Sequence, residues 1–206
     1  MGQALLAGLI DQGTARDELC VVEPQEPARR ICAEILGPER ILSRLEMLPP
    51  GGPGLVVLAV KPQNLEEVLP QLSPRLAADA TVVSICAGVT TARLEAALGD
   101  RPVVRAMPNT PALVRAGVTA LAAGRFAGPE HLAAARRIFT AVGEVVELEE
   151  SQMNAVTAIS GSGPAYFFRF MHELVAAGVS FGLSPETALA LVTATARGAA
   201  ERSEEH

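Results

Sequence analysis

The chain has 206 residues, of which 49% are apolar and only 3% aromatic, so aliphatic side chains must fill a sizeable core. The net charge of -6 argues against a nucleic-acid partner, because phosphate contacts need clustered Lys and Arg. No apolar run is long enough to cross a bilayer, and no basic flank precedes the first ten residues, so we expect a cytoplasmic protein without a signal peptide.

The first 150 residues alternate helical patterns with short apolar runs. In chain order, the patterns predict helix 3–12, strand 19–23, helix 27–36, strand 55–60, helix 65–72 bent or ended at Pro70, strand 81–86, helix 94–98, strands 102–107 and 118–123, a helix beginning at Pro129, and strand 145–148. This alternation favours a Rossmann-like, doubly wound and mostly parallel sheet. Such a sheet normally opens with a strand and a Gly-rich turn, whereas Met1-Gly2 runs straight into a helix, so we expect the first strand to be missing.

The pattern changes near residue 150, where we place a boundary between a nucleotide-binding domain, 1–150, and an all-helical segment, 151–206. Three helices are predicted there, beginning at Ser151, Pro164 and Ser184. Their apolar faces are too wide for two or three helices to bury alone. Either another chain covers them or the natural protein continues.

Three cysteines, Cys20, Cys32 and Cys86, are odd in number and widely spaced. They fit neither a zinc motif nor a disulfide framework. We expect three buried thiols in a reducing compartment, and we predict no metal site.

Two motifs follow predicted strands in the first half of the chain. Lys61, in the segment Ala59 to Asn64, comes directly after a buried strand, where open α/β sheets bind ligands. The alternative is a surface lysine with no specific role. The segment from Ser84 to Val89 also follows a strand, and its small residues around Gly88 let a flat cofactor approach the backbone.

Two further motifs carry polar side chains. In the segment Arg105 to Pro111, two prolines bracket Asn109 and fix a polar residue at a strand end. In the segment Ala158 to Ala165, two serines and two glycines precede a long helix, whose free N–H groups and dipole favour a carboxylate. The alternative for this segment is a Gly/Ser linker with a helix cap.

The sequences AVKPQ, SICAGV, RAMPNTP and SGSGPAYFF, in this order and spacing, resemble pyrroline-5-carboxylate reductase across essentially the whole chain. Family members begin with a strand and a Gly-rich turn ending in Asn-Met-Gly, and they continue through further helices beyond His206. The resemblance therefore implies truncation at both ends, with Met1 and Gly2 as the remainder of that turn.

The resemblance also implies a reaction, the last step of proline biosynthesis. A hydride passes from NAD(P)H to the imine carbon of pyrroline-5-carboxylate and gives L-proline. The resemblance leaves two sources for the imine proton, a protein group or protonation before binding. It also implies a homodimer or a larger ring formed through the helical segment.

The roles of individual residues follow from the same resemblance. The implied cofactor contacts are Met1, Gly2, Glu23, Ala59, Val60, Lys61, Pro62, Cys86, Ala87 and Gly88. The implied catalytic residues are Lys61, Asn109, Ser160, Ser162 and Thr195. The implied substrate-carboxylate contacts are Ser160, Gly161, Ser162 and Gly163.

The choice between NADPH and NADH depends on residues after the first predicted strand. Glu23 stands where an acid holds the ribose hydroxyls in NAD enzymes. Arg29 and Arg30 lie just beyond and could bind a 2′-phosphate, although exposed arginines often have no specific role. The resemblance favours NADP, with NAD as the second possibility.

The chain departs from the family pattern at four positions, Asn154, Arg169, His172 and Ala194, where Asp, an apolar residue, an acidic residue and Gln are expected. These departures bear on fine substrate contacts and on subunit packing. They leave the four motifs unchanged.

Two alternatives compete with the reductase. A β-hydroxyacid dehydrogenase on the same architecture is expected to carry a catalytic Lys in its helical domain, and this alternative is rejected because Lys61 is the only Lys in the chain. An inactive fragment or assembly subunit is the other, because the phosphate-binding turn is largely missing.

Overall fold

A computed structural model of the protein describes residues 1–49 and 51–203. It divides into two compact units, residues 1–161 and the part that begins at Ser162. The predicted boundary near residue 150 stays a prediction, and the last residues of the predicted helical segment, 204–206, lie outside the described residues.

Among its described residues, the first unit contains seven strands with helices between most of them. The strands are β1 (Val21–Val22), β2 (Ile41–Leu42), β3 (Leu55–Leu58), β4 (Thr81–Ser84), β5 (Val103–Pro108), β6 (Gly117–Ala123) and β7 (Gly143–Glu147). The α-helices are α1 (Gly2–Asp11), α2 (Glu26–Leu36), α3 (Leu65–Leu72), α4 (Thr91–Leu98), α5 (Pro129–Thr140) and α6 (Met153–Val156), and a π-helical turn spans Thr157–Gly161. Short 3-10 helices lie at Arg16–Glu18, Pro38–Arg40, Leu45–Met47, Pro62–Asn64, Ser73–Arg75, Thr110–Val114 and Glu150–Gln152.

The strands form a two-stranded sheet, β1-β2, and a five-stranded sheet ordered β3-β4-β5-β6-β7. Only the β5–β6 pair is antiparallel, so the predicted mostly parallel sheet is confirmed. In register, Leu58 of β3 lies beside Ser84 of β4, and Ser84 lies beside Arg105 of β5.

The sheet is covered on both faces, as expected for a doubly wound fold. Val82 and Val83 are adjacent on β4, point to opposite faces and are both fully buried. One face packs on α3 and α4 around Leu65 and Leu94, and the other packs on α1 and α5 around Phe139.

Three expectations need correction. Strand β3 is half-buried except at Leu58, because it is an outermost strand of the sheet among the described residues. Helix α3 continues through Pro70 to Leu72, although Pro70 lacks the N–H for one intrahelical hydrogen bond. Cys32 and Cys86 are buried, but the expectation is wrong for Cys20, which is exposed because it lies in the loop before the two-residue strand β1.

The second unit contains two long helices, α7 (Gly163–Ser180) and α8 (Pro185–Ser203). The Ser184 hydroxyl accepts a hydrogen bond from the backbone N–H of Thr187, which caps α8 as predicted. The helices approach each other closely where Gly178 faces Ala188. Among the described residues, no helix combines the length and apolar character needed to span a membrane.

Helix α7 leaves large apolar side chains exposed. Phe167 and Phe170 are 69% and 63% exposed, and Tyr166 and Phe168 lie beside them with more than half of their surface in solvent. A large exposed apolar patch of this kind marks an interaction surface.

Candidate active site

Three of the four motifs come together at one edge of the sheet. Strands β3, β4 and β5 are parallel neighbours, so their carboxyl ends share an edge. The chain leaves these strands through Ala59 to Pro62, through Ile85 to Gly88, and through Asn109. Ligands of open α/β sheets bind outside such an edge.

The first two motifs are tied together by Cys86. Its Sγ lies 3.2 Å from the carbonyl oxygen of Val60, and its N–H donates to the Ser84 hydroxyl at 3.3 Å. Burial raises the pKa of the Cys86 thiol, so the thiol stays protonated at neutral pH and can donate to that carbonyl. Cys86 therefore fixes the turn after β4 against the end of the segment after β3.

The turn after Cys86 is open and built from small residues. Gly88 has φ +74°, a backbone conformation that L side chains rarely adopt, and the space beside it is free. Ala87 and Gly88 are both exposed. On the neighbouring segment, a Cβ added to Gly2 would lie 3.3 Å from the Cβ of Ala59, so the start of the chain lies against the end of β3.

Lys61 and Pro62 lie at the exposed start of the 3-10 helix Pro62–Asn64. Within residues 1–49 and 51–203, no salt bridge to the Lys61 ammonium is found. An unpaired ammonium group at a strand end is available to an anionic ligand. This favours a binding role for Lys61 over that of a surface lysine with no specific function.

Asn109 is buried, with 9% of its surface exposed, and both ends of its amide are used. The Oδ1 atom accepts from the backbone N–H of Val118 at 3.0 Å, and the Nδ2 atom donates to the Ser160 hydroxyl at 3.5 Å. Asn109 thus connects the third motif with the fourth across the start of β6.

The segment that carries Ser160 and Gly161 is a π-helical turn, Thr157–Gly161, that continues α6. It is therefore not the open Gly/Ser linker weighed as the alternative. Gly161 packs on the terminal methyl group of Met107, which would have to move to admit a Cβ. Wide helical turns of this kind are often found at functional sites.

A groove of about 250 Å³ lies beside Ser160. Its walls are apolar apart from Gln152 and Ser160, and they include Val118, Val146 and Ile159. The groove suits an apolar group, with polar wall groups only from Gln152 and Ser160.

Sequence reasoning missed one ion pair in this unit. The Arg105 guanidinium, with 4% of its side chain exposed, donates to Glu150 Oε1 at 2.8 Å. The same oxygen accepts from the backbone N–H of Thr91 at 3.4 Å. A charged residue inside the apolar strand Val103–Pro108 was the available signal, because a buried cation requires a partner.

The residues near the predicted adenosine end are engaged with one another. A Glu23 carboxylate oxygen accepts from the Gln25 N–H at 2.8 Å, and Arg29 donates to the carbonyl oxygens of Glu23 and Pro24 at 3.2 and 2.5 Å. Arg30 is 76% exposed in its side chain and pairs with Glu26 on the same helix.

The remaining predicted residues lie in the second unit. Ser162 directly precedes α7 and Gly163 begins it; within the described part of the chain, the Ser162 side chain makes no capping hydrogen bond. Thr195 is exposed in the middle of α8.

The departures from the family pattern are all at the surface. Asn154 is exposed in the first unit, and His172 and Ala194 are exposed in the second. Arg169 pairs with Glu173, one turn along α7, at 2.7 Å.

Two family models match the chain. Residues 150–206 match the model described as pyrroline-5-carboxylate reductase dimerisation. Residues 1–88 match the model described as NADP oxidoreductase, coenzyme F420-dependent.

A pyrroline-5-carboxylate reductase from Mycobacterium tuberculosis is 42% identical over 207 residues, which cover 97% of this chain and 69% of that protein. The chain belongs to the pyrroline-5-carboxylate reductase family. A solved structure of the reductase from Coxiella burnetii superposes with a TM-score of 0.91 at 35% identity, covering 100% of this chain and 76% of that one. The reductase from Plasmodium falciparum, solved with NADP bound, gives a TM-score of 0.88 at 31% identity over the same shares of both chains.

Membership explains why the motifs occur together. The likeness to the two solved reductases extends over all of the chain, so both units fall within the family's fold. The fold predicted for the first 150 residues and the helical segment after them is confirmed.

Proposed function

We propose that this protein is an NAD(P)H-dependent imine reductase that converts pyrroline-5-carboxylate to L-proline in the cytoplasm. The observation that carries the proposal is the linked arrangement of the motifs. Cys86 ties the first motif to the second, and Asn109 ties the third motif to Ser160 of the fourth. A reductase needs this kind of fixed arrangement to hold a cofactor and a substrate in one geometry.

The residues at the sheet edge fit a nicotinamide cofactor. The open turn at Ala87 and Gly88, beside the segment that begins at Ala59, leaves backbone accessible to a flat group. When bound, the cofactor supplies the hydride. Met1, Gly2, Val60, Pro62 and Cys86 complete the proposed cofactor contacts.

We assign NADP as the preferred cofactor. The family model over residues 1–88 is that of an NADP oxidoreductase, and the Plasmodium falciparum reductase was solved with NADP. Arg30 is free to turn from its exposed partner Glu26 toward a 2′-phosphate, whereas Arg29 is held on backbone carbonyls. NAD is the second possible cofactor, because the Glu23 carboxylate, which accepts a hydrogen bond from the Gln25 N–H, stands where an acid holds the ribose hydroxyls in NAD enzymes.

The substrate side is assigned to polar groups of the third and fourth motifs. Ser160 and Ser162 supply hydroxyl donors, and Gly161 and Gly163 supply backbone N–H groups near the start of an 18-residue helix, whose dipole favours the carboxylate. Asn109 orients Ser160, and Lys61 supplies positive charge. Thr195 is assigned to the site of a neighbouring subunit.

We further propose that two copies pair through the second unit. The exposed aromatic face of α7 supports this assembly, because a monomer leaves Phe167, Phe168 and Phe170 in solvent. The match to a dimerisation model over residues 150–206 points to the same surface.

The deciding experiment mixes the protein with pyrroline-5-carboxylate and follows NADPH, then NADH, by absorbance, with proline measured at the end point. We expect substrate-dependent oxidation of NADPH and an equal amount of proline. A second form, extended at both ends with the matching segments of the Mycobacterium tuberculosis reductase, is measured in parallel.

Turnover by the extended form alone means that the 206 residues do not build the full site. No turnover by either folded form overturns the proposed activity. Turnover without proline identifies a reductase of a different imine.

A further inference from the structure

Arg105 and Glu150 form a pair that links distant parts of the first unit. Arg105 lies on β5, beside Ser84 in the register of the sheet, and only 4% of its side chain is exposed. Glu150 lies 45 residues later, in the 3-10 helix that precedes α6 and the π-helical turn. A buried cation left without its partner is strongly unfavourable, so the geometry of this pair is tightly determined.

Glu150 also reaches a third element. Its Oε1 atom accepts from the N–H of Thr91, the first residue of α4, at 3.4 Å. Helix α4 begins three residues after Gly88, the glycine of the proposed cofactor turn. A carboxylate at a helix N-terminus is stabilised by the helix dipole as well as by the hydrogen bond.

The second carboxylate oxygen of Glu150 is unusual. Oε2 is buried and has no hydrogen-bond partner within the part of the chain that the structure describes. The ion pair with buried Arg105 requires a carboxylate at this position, but it leaves Oε2 unsatisfied, which costs stability.

We infer that Glu150 is a positioning residue for the proposed reaction, holding the cofactor turn after β4 and the Ser160 segment at one fixed separation. The inference rests on the proposed function. Through Thr91 it holds the start of α4, through Arg105 it holds β5 and the strand end that carries Asn109, and its own backbone leads into the turn that carries Ser160. The hydride donor and acceptor are bound by these two sides.

The test compares Glu150→Ala, Glu150→Gln and a matched control, Glu147→Ala, whose partner Arg136 is also an arginine but whose pair is solvent-exposed. Small errors of position in a reductase lower the rate steeply, so we expect kcat to fall about 100-fold in E150A and about tenfold in E150Q, with a raised KM for pyrroline-5-carboxylate. Gln keeps one oxygen for Thr91 and Arg105 and should restore part of the loss. The control should match the unsubstituted protein.

Hydrogen exchange on the intact chain gives a second readout that does not need turnover. E150A should exchange faster both in the first turn of α4 and in residues 153–161, whereas E147A should change neither. If E150A only lowers the folded fraction and leaves KM and the exchange of α4 unchanged, the role is structural and the inference is wrong. The kinetic comparison uses whichever form, the 206-residue chain or its extended version, turns over. No turnover by either folded form overturns the proposed function instead, and the exchange comparison then reports only whether Glu150 fixes the start of α4 against residues 153–161.

Discussion

The amide nitrogen of Asn109 lies 3.5 Å from the hydroxyl oxygen of Ser160, across 51 residues of sequence. The other end of the same amide accepts from the N–H of Val118 at 3.0 Å, so rotation of the side chain would break both contacts. Asn109 is therefore a rigid support for Ser160, independent of any contact that it makes with substrate.

Replacing Asn109 with Ala should lower both activity and stability. The partly buried Val118 N–H loses its acceptor, which costs about 1 kcal/mol of unfolding free energy. Replacing Ser160 with Ala should cost less stability, because Ser160 is only half-buried.

A double-mutant cycle on kcat/KM then isolates the pair. We expect a coupling of about 0.5 kcal/mol or more between Asn109→Ala and Ser160→Ala. Strict additivity would show that the two residues act separately.

Replacing Lys61 with Met should lower kcat/KM and leave stability unchanged, because the side chain is exposed. A lost contact to a charged group corresponds to a decrease of about tenfold or more. Steady-state kinetics with urea unfolding measures both quantities. Lys61→Arg retains the charge and is the control; if both variants behave alike, the positive charge is not the feature used.

Replacing Arg30 with Ala should weaken the binding of NADPH and leave the binding of NADH unchanged. Losing one charged phosphate contact raises the KM for NADPH by about tenfold. Arg137→Ala, on the exposed side of α5, is the matched control and should change neither KM. Equal losses with both cofactors would place Arg30 away from the 2′-phosphate.

The Cys86 thiol should make stability depend on pH in the alkaline range. Burial raises the pKa of Cys86 in the folded chain, so the folded chain keeps a proton that the unfolded chain loses. Its contribution is full below the ordinary thiol pKa, about 8.5, and decreases as pH rises through the raised value.

Urea unfolding of the unsubstituted protein and Cys86→Ser checks this dependence. The difference between their unfolding free energies should be constant around neutral pH. At alkaline pH the unsubstituted protein should lose stability relative to Cys86→Ser. Cys20 and Cys32, whose thiol pKa values are raised by desolvation (only partial at the exposed Cys20), are present in both proteins and cancel. A constant difference across the range would contradict the prediction.

Replacing Phe167 with Asp should shift the assembly toward monomer without unfolding the chain, because the side chain is 69% exposed. Light scattering of both proteins at equal concentration measures the change. Leu113→Asp places the same charge at a site 65% exposed in the first unit and should leave assembly unaltered. An unchanged molar mass for Phe167→Asp would remove the aromatic face from the interface.

Much of the fold could be predicted because the apolar patterns are local. The run from Thr81 to Ser84 is buried on both faces, as continuous apolar strands in parallel sheets are. Short elements escaped prediction: β2 has two residues, Ile41 and Leu42, too few to show a period.

The motifs could be found from sequence, but the contacts between them could not. The bonds from Cys86 to Val60 and from Arg105 to Glu150 join residues 26 and 45 positions apart. Such pairs depend on the order and register of the strands, which the local patterns of a single sequence do not give. The π-helical turn was missed for a related reason, since its composition also suits a linker.

The π-helical turn Thr157–Gly161 sets the direction, around the helix axis, in which the side chains near its end project. Each residue of an α-helix advances the chain by about 100° around the axis, whereas a π-helical turn includes an additional residue. Deleting Ala158 would allow the segment to tighten into an ordinary helix and would rotate the Ser160 hydroxyl away from Asn109. The length of this segment, counted in residues, therefore constrains the protein as strictly as the identity of the serine.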